Sequence, residues 1–342
     1  MNTKTEKNSS RVLDKTAREN KSSISRRTFL ENAAVVAGAA STGLVSVSAL
    51  STHAAEGAEG EKSKKGIRVG MMTAPVSGLP LDQALDMAHR CGMVALEVMS
   101  DSGSKLLDPM DFSQSDADGI KQKLAERGLE ISSLANYMDS AASGKTEHVQ
   151  QVAEKMIDAA ALLGVPTICM ITGLPRPGMN RIEMIKKVVA PTFRPILDHA
   201  KDKGIQVAVE NWFATCLQGI DTFDCLLETI PDEHFGLNYD PSHLVHQELD
   251  IMIPVARYSK RIFHTHAKDC LIDVPRRRYV GILGDGWWRY AIPGYGDIQW
   301  GEYIGRLRQA GYRGVLSIEH EDDTFGPEEG FRHGASYLNR FC

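Results

Sequence analysis

Four places in the second half of the sequence put a carboxylate or an imidazole where an apolar run ends. In chain order these groups are Glu210, Asp240, His266 and Glu319. An apolar run that ends in a polar group is typical of a strand that leaves a buried core. Three carboxylates and one imidazole make an oxygen-rich ligand set, which favours Mn²⁺ or Mg²⁺ and also admits Co²⁺ or Zn²⁺. If the four groups lie together, they predict a site for one divalent metal ion.

The stretch His264–Asp269 carries two histidines that are two residues apart. Side chains alternate along a strand, so His264, His266 and Lys268 are predicted to share one face. His266 stands next to the polar end of the stretch and is the predicted metal ligand. His264 lies about 7 Å deeper at the usual rise per strand residue, so it is predicted to be a hydrogen-bonded structural residue.

Strands must position these groups, and from about residue 66 onwards short apolar runs alternate with amphipathic segments. Several amphipathic segments end at a glycine, the residue that commonly terminates a helix. Eight strands alternating with helices predict a (β/α)8 TIM barrel, in which the carboxyl ends of all strands meet at one end. The eight predicted strands are Ile67–Met72, Val94–Met99, Leu129–Leu134, Thr167–Ile171, Gln206–Trp212, Phe235–Asp240, Ile262–Lys268 and Gly314–Glu319.

The barrel arrangement would bring the four candidate ligands to neighbouring strand ends. Ionised carboxylates that converge in a buried place need a compensating positive charge, which a divalent cation supplies. A dinucleotide site has no support, because no Gly-x-Gly-x-x-Gly follows the first predicted strand. The long connection Cys270–Gln299 is predicted to be a functional loop, since loops of this length in a compact domain usually are.

The motifs at the last four strand ends resemble those of a known family. They are Glu-Asn at 210–211, Asp-Pro-Ser-His at 240–243, His-x-Lys-Asp at 266–269 and Ser-Ile-Glu-His-Glu at 317–321. They are similar to the xylose isomerase-like TIM-barrel superfamily, which includes tagatose/psicose 3-epimerases, inosose dehydratases and the endonuclease IV group. The resemblance covers residues from about 67 to the C-terminus. It implies that Glu210, Asp240, His266 and Glu319 bind the metal, and that Glu210 and Glu319 also act as acid and base.

This chemistry predicts a metal-dependent sugar isomerase or epimerase. A metal at this place would polarise a sugar carbonyl and acidify the adjacent C–H, so that one carboxylate could remove the proton and the other return it. Loss of a leaving group instead would make the protein a lyase or dehydratase acting on an inosose or a 3-keto-glycoside. The sequence leaves both reactions open.

Five further residues are predicted to contact the substrate. His243 fits an Asp-x-x-His motif, and Lys268 could meet a substrate oxygen or pair in the neighbourhood of Asp269. Trp212, Trp287 and Trp288 could stack on a sugar face or pack in the core or a lid. The run Arg276–Arg278 could bind an anionic group or be solvated.

Two other functions remain alternatives. An endonuclease IV-type phosphodiesterase needs extra histidine ligands from the second and third strands, and those strands end at 97–101 and 135–137 without one. The net charge of −5, which becomes −9 without the first 55 residues, also disfavours a nucleic-acid partner. A sugar-binding barrel without activity is the second alternative. Neither a monomer nor a homo-oligomer is excluded.

The N-terminus predicts export. Residues 25–30, Ser-Arg-Arg-Thr-Phe-Leu, match a twin-arginine signal and precede an uncharged stretch at 32–55. We therefore expect a signal peptide at 1–55, a linker at 56–65 and the barrel domain at 66–342. The protein would be periplasmic or extracytoplasmic, and membrane-anchored only if the signal is retained. The six scattered cysteines lack a C-x-x-C spacing and are predicted to be free thiols.

Overall fold

The computed structural model describes residues 66–342. The predicted signal peptide and linker therefore lie outside the described residues. Within 66–342 no helix combines the length and the apolar character that crossing a bilayer requires.

Eight parallel strands close into a barrel, which confirms the predicted TIM-barrel fold. Around the barrel the order is β1, β10, β7, β6, β5, β4, β3 and β2, so each strand pairs with its neighbours in sequence apart from one inserted hairpin. The strands of the described residues are β1 (Arg68–Met72), β2 (Ala95–Met99), β3 (Glu130–Ala135), β4 (Thr167–Ile171), β5 (Gln206–Glu210), β6 (Phe235–Tyr239), β7 (Ile262–Ala267), β8 (Asp269–Ile272), β9 (Trp288–Ala291) and β10 (Val315–Ile318).

Helices surround the barrel and turn their apolar faces towards the strands. The α-helices are α1 (Leu81–Arg90), α2 (Gln114–Arg127), α3 (Thr146–Leu163), α4 (Arg181–Met184), α5 (Ala190–Lys203), α6 (Ile220–Thr229), α7 (Ser242–Val245), α8 (Met252–Arg257), α9 (Val274–Val280), α10 (Trp300–Gln309) and α11 (Pro327–Leu338). Three of them end as predicted at a glycine in the left-handed region: Gly128 (φ 63°), Gly164 (φ 76°) and Gly204 (φ 67°). The left-handed turn lets the chain enter the next strand at once.

Arg181–Lys203 is one of the amphipathic segments for which the sequence predicts a helix, and in the structure this helix is divided. A π-helical turn, Ile185–Val189, separates α4 from α5. Pro191 follows this turn and has no N–H to give to the carbonyl of Lys187, four residues earlier. The Ala190 N–H bonds instead to the Ile185 carbonyl, five residues back, which is the π-helical spacing.

The connection predicted as a loop at 270–299 contains regular structure. β8 and β9 pair antiparallel, with Asp269 opposite Ala291 and Ile272 opposite Trp288. The Asp269 carboxylate joins the two ends of the connection, because it accepts from the Ile298 N–H at 3.0 Å and from the Trp300 indole N–H at 2.9 Å. The pairing partners are far apart in sequence, so no local turn signal indicated the hairpin.

The cysteines agree with the prediction of free thiols. All six lie in the described residues, are unpaired, and five of them are buried: Cys91, Cys169, Cys216, Cys225 and Cys270, with Cys342 half-buried. Burial raises the pKa of Cys216 and of Cys270 to about 12, so these thiols stay protonated.

Candidate metal centre

The four predicted ligands converge at the carboxyl end of the barrel. Glu210 ends β5, Asp240 follows β6, His266 lies near the end of β7, and Glu319 follows β10. All four are buried, and one ligand atom from each lies within 4.8 Å of the others. We call this set the ligand layer. The parallel strands bring the four groups together because their carboxyl ends share one end of the barrel.

One ring nitrogen of His266 faces the three carboxylates of the ligand layer. Its Nδ1 lies 3.2 Å from Glu319 Oε2, 3.3 Å from Glu210 Oε1 and 3.8 Å from Asp240 Oδ2. These atoms are close enough to share one ion. The set of one nitrogen and three oxygens is therefore arranged around a common point.

The charge of this region fits a divalent cation. Glu97 lies buried just below the ligand layer, so four buried carboxylates face one ammonium, that of Lys268, and two imidazoles, those of His243 and His266. The carboxylates outnumber the cationic groups even if both imidazoles are charged, and the remaining negative charge is costly to bury without a counter-ion. In addition, Asp240 Oδ2 accepts no hydrogen bond, although Lys268 Nζ is 3.4 Å away. The residues present can therefore hold a metal ion.

The electrostatic environment keeps these groups ionised. Burial alone would raise the pKa of Asp240, but Lys268 and His243 outweigh it and the pKa is lowered. Burial would also raise the pKa of Glu210, and the charge of His266 with the hydrogen bond of His243 lowers it instead. For Lys268, burial would lower the pKa, and Glu319, Glu321 and Asp240 raise it well above its usual range. The carboxylates of Asp240 and Glu210 are thus available as ligands at neutral pH.

His243 and Lys268, which are predicted to contact the substrate, both lie against the ligand layer. His243 Nε2 is 3.1 Å from Glu210 Oε1, and its Nδ1 is 2.7 Å from the Tyr290 hydroxyl. Lys268 Nζ donates to Glu319 at 2.6 Å and to Glu321 at 3.0 Å, and it lies 4.4 Å from the Tyr290 ring centroid. Each side chain therefore holds one of the two predicted acid/base carboxylates.

The three tryptophans have different places. Trp212 follows β5 and is half-buried beside Phe213. Trp288 stacks on His246, with 4.0 Å between ring centroids, and meets the Tyr290 ring edge-on. Trp212 and Trp288 thus belong to an aromatic group next to His243.

Trp287 lies apart from that group. It is buried, and its ring packs under the Arg277 guanidinium at 5.7 Å. Alternation along the hairpin sends neighbouring side chains to opposite faces, so Trp287 and Trp288 cannot both face the ligand layer. Arg277 also pairs with Glu248, and Arg276 donates to the Asp285 carbonyl at 3.3 Å, so these two arginines serve local contacts.

His264 is a hydrogen-bonded interior residue, in agreement with its predicted role. Its Nδ1 is 3.1 Å from Asn238 Oδ1 and its Nε2 is 3.0 Å from Ser132 Oγ. The ring centroids of His264 and His266 are 6.4 Å apart. Burial lowers the pKa of His264 to about 4, so this imidazole is neutral at pH 7.

Sequence reasoning missed five residues that touch the ligand layer or its partners: Glu97, Tyr137, Asn238, Tyr290 and Glu321. Glu97 did have a signal, because it is the only charged residue in the strand Ala-Leu-Glu-Val-Met. A lone carboxylate in an apolar strand indicates a buried and partnered group. Tyr290 had none, since it lies on the hairpin that was not predicted.

A cavity of about 470 Å³ opens at the opposite end of the barrel from the ligand layer. It is lined by the first residues of several strands, including Arg68, Glu130 and Gln206, and Arg68 pairs with Glu130 at 2.8 Å. None of the predicted site residues lines it. Catalytic groups of TIM barrels lie at the carboxyl ends of the strands, so the chemistry is assigned to the ligand layer.

Comparison with known proteins identifies relatives along most of the barrel. The family described as "Xylose isomerase-like TIM barrel" matches residues 85–341. Protein YfiH of Bacillus subtilis is 25% identical over 312 residues, which cover 80% of this chain and 99% of that protein. Inosose dehydratase of Clostridium perfringens is 27% identical over 128 residues, or 36% of this chain and 43% of that enzyme. The match to the dehydratase thus spans less than half of its length.

Solved structures share the fold at low sequence identity. The IOLI protein with a bound zinc atom aligns with a TM-score of 0.63 at 18% identity, covering 81% of this chain and 99% of that one. An L-ribulose 3-epimerase aligns with a TM-score of 0.62 at 15% identity, covering 80% and 94%. At these identities the similarity establishes the fold.

Proposed function

Because the chain belongs to the xylose isomerase-like TIM-barrel family, we propose that it is a divalent-metal-dependent isomerase or epimerase of a ketose or keto-sugar. The observation that carries this proposal is the convergence of three carboxylates and one imidazole, those of the ligand layer, at the catalytic end of the barrel. Sugar epimerases and inosose dehydratases among its relatives support a small sugar as substrate.

The proposed cofactor is one divalent ion bound by Glu210, Asp240, His266 and Glu319. The three oxygen donors favour Mn²⁺, and Mg²⁺, Co²⁺ and Zn²⁺ suit the same set. The IOLI protein, which shares the fold, has a bound zinc atom, and this supports a metal ion as cofactor. When bound, the ion would polarise the carbonyl oxygen of the sugar and make the neighbouring C–H more acidic.

Glu210 and Glu319 are the proposed proton carriers. Their strands, β5 and β10, are separated around the barrel by β6 and β7, so the two carboxylates approach a substrate from different directions. His243 holds Glu210 and Lys268 holds Glu319 through direct contacts. One carboxylate would take the proton from the carbon beside the carbonyl. The other would first take up a proton from solvent and then give it to the opposite face of that carbon, which inverts the centre.

A lyase reaction, either dehydration of an inosose or loss of the aglycone from a 3-keto-glycoside, is the second candidate. It is favoured by the sequence similarity to inosose dehydratase and by a proton donor beside Glu319. After loss of the C–H proton, the C–O bond on the next carbon would break, and Lys268 would give the departing oxygen a proton, so that it leaves as water from an inosose or as an alcohol from a 3-keto-glycoside. The buried ammonium, 2.6 Å from Glu319, is placed for this role.

One experiment separates the two reactions. The purified protein, loaded with Mn²⁺ and then freed of excess ion, is incubated in D2O with a panel of ketoses, inososes and 3-keto-glycosides, and the products are followed by NMR after metal removal. Epimerisation gives solvent deuterium at an inverted carbon. Loss of water or of an aglycone without inversion identifies the lyase. If the folded and metal-loaded protein exchanges no C–H with solvent in any member of the panel, the proposed chemistry is wrong.

We also propose that the protein is exported by the twin-arginine route and acts outside the cytoplasm. The support is the Arg26-Arg27 pair and the uncharged stretch behind it. An extracytoplasmic location favours a neutral sugar or glycoside over a sugar phosphate. Cell fractionation of the full chain tests this, with Arg26→Lys/Arg27→Lys as the variant expected to stay in the cytoplasm. Equal fractionation of both forms would contradict export by this route.

A further inference from the structure

Glu97 is a buried carboxylate that the proposed reaction does not use. It lies in the middle of β2, with no exposed surface, directly below the ligand layer. A carboxylate in such a place is tolerated only if neighbouring groups compensate its charge and satisfy its oxygens. Its contacts therefore indicate what it does.

Both oxygens of Glu97 are engaged. Oε2 lies 3.0 Å from His266 Nε2. Oε1 accepts from the Tyr137 hydroxyl at 2.7 Å and from the Asn238 amide at 3.4 Å. The carboxylate is therefore held on one side by Tyr137 and Asn238 and directs its other oxygen at His266. We call Glu97, Tyr137, Asn238 and His264 the support layer.

The proton between Glu97 and His266 can be assigned from these contacts. An ionised carboxylate only accepts hydrogen bonds. Without a proton on Nε2, two lone pairs would face each other at 3.0 Å in the barrel interior. The Asn238 amide also lies 3.0 Å from Nε2, but its hydrogens have acceptors in Glu97 Oε1 and the Tyr137 oxygen. The proton therefore belongs on Nε2, and it is donated to Glu97.

This assignment decides which nitrogen faces the metal. A neutral imidazole that is protonated at Nε2 has its lone pair on Nδ1, the atom that faces the three carboxylates of the ligand layer. We propose that Glu97 is a positioning residue that fixes the tautomer and the orientation of His266 for metal binding. This inference rests on the proposed metal site. Outer partners of this kind commonly change metal affinity by about 10- to 100-fold when they are removed.

A different reading of the same region is a second metal site. Glu97, Cys169 and His264 also offer ligand atoms within 4.8 Å of one another. However, both ring nitrogens of His264 are already hydrogen-bonded, to Asn238 and to Ser132. Both oxygens of Glu97 are engaged as well. The geometry therefore favours a hydrogen-bonded support over an ion at this depth.

The test measures metal affinity and does not need a substrate. Glu97→Gln keeps the size of the side chain, but its amide can present hydrogens to Nε2 and so favour the wrong tautomer of His266. Cys169→Ser is the matched control, because it is an equally buried change beside Glu97 that leaves His266 untouched. Binding of Mn²⁺ alone is measured by competition with a chelator, and folding is checked by circular dichroism and thermal unfolding.

We expect Glu97→Gln to weaken Mn²⁺ binding by about 10- to 100-fold and Cys169→Ser to change it less than about twofold. A folded Glu97→Gln protein that binds Mn²⁺ within about twofold of the parent overturns the inference. The inference is also overturned if the parent binds two ions per chain and the variants Glu97→Gln and Cys169→Ser each lose one of them. In that outcome the affinity for the remaining ion is unchanged in both variants.

A measurement on the unsubstituted protein covers the case in which Glu97→Gln does not fold. Long-range ¹H–¹⁵N spectra of the zinc-loaded protein report the tautomer directly, with the His266 ring assigned by the loss of its signals in His266→Gln. We expect a proton on Nε2 of His266 and zinc on Nδ1; the reverse arrangement overturns the inference. Weaker metal binding in Glu97→Gln, together with an inactive parent, would support the positioning role and reject the proposed function.

Discussion

The ligand layer and the support layer lie one above the other in the same barrel, and both are buried and polar. They differ in how their polar groups are satisfied. In the support layer, Glu97 and His264 have hydrogen-bond partners at every polar atom of the side chain. In the ligand layer, carboxylates face one another, and Asp240 Oδ2 accepts no hydrogen bond.

This difference indicates that the two layers have different roles. A buried polar group with a full set of hydrogen bonds stabilises a single arrangement of the core. Buried carboxylates that lack enough partners are costly unless a ligand completes them. The ligand layer is therefore interpreted as the place of binding and chemistry, and the support layer as the structure that holds it. The following predictions test this division, beginning with the largest expected effect.

Removing a proton carrier from the ligand layer should have the largest effect on turnover. Glu210→Gln and Glu319→Gln are each expected to lower kcat by at least about 10²- to 10⁴-fold, the usual contribution of a positioned acid or base. Steady-state kinetics at saturating metal check this. Near-parental rates in either variant would contradict the two-carboxylate mechanism. Glu126→Gln, on the exposed face of α2, is the control for the substitution itself.

The two histidines of β7 offer the most direct comparison of the layers. His266→Gln should weaken Mn²⁺ binding by more than about 100-fold. This exceeds the loss expected when a residue that only hydrogen-bonds to a metal ligand is replaced. His264→Gln should retain the ion but lower the free energy of unfolding by about 1 to 3 kcal/mol, the cost of disturbing buried hydrogen bonds. Chelator competition and denaturant unfolding measure the two effects. If both variants lose metal equally, the layers do not differ in function.

Metal should stabilise the protein through the ligand layer. An ion that binds only the folded state at 100 times its dissociation constant adds about 2.7 kcal/mol to the free energy of unfolding. We therefore expect Mn²⁺ to raise the unfolding midpoint of the parent and to have much less effect on Asp240→Asn, which lacks one ligand charge. Denaturant titrations with and without Mn²⁺ check this. An equal rise in both proteins would show that the ion binds elsewhere.

Tyr290 should give the smallest effect, because it acts on the ligand layer through His243. Tyr290→Phe removes the hydroxyl that lies 2.7 Å from His243 Nδ1 and keeps the ring against Lys268. One such hydrogen bond contributes about 0.5 to 1.5 kcal/mol, so we expect kcat/KM to fall by about 2- to 13-fold with Mn²⁺ affinity unchanged. Loss of metal binding in this variant would contradict the prediction, because it would mean that the Tyr290 hydroxyl supports the metal site itself and not only His243.

Most of the fold could be predicted from the sequence because the signals for its strands and helices lie within short segments of the chain. Apolar runs alternating with amphipathic segments, and glycines at helix ends such as Gly164 and Gly204, are patterns within short windows. The β8–β9 hairpin was not predicted, because its two strands are separated in sequence by the helix α9. The division of the helix at 181–203 was also missed, although Pro191 lies just after the π-helical turn that divides it.

The sequence by itself determined the kinds of candidate ligand and their positions, because Glu210, Asp240, His266 and Glu319 each stand at or near the end of a predicted strand. Only the tertiary structure decided which nitrogen of His266 faces them. That choice depends on Glu97, which is 169 residues away in sequence and 3.0 Å away in the barrel. A strand pattern specifies which face a side chain occupies, whereas the partners that orient it come from strands across the closed barrel.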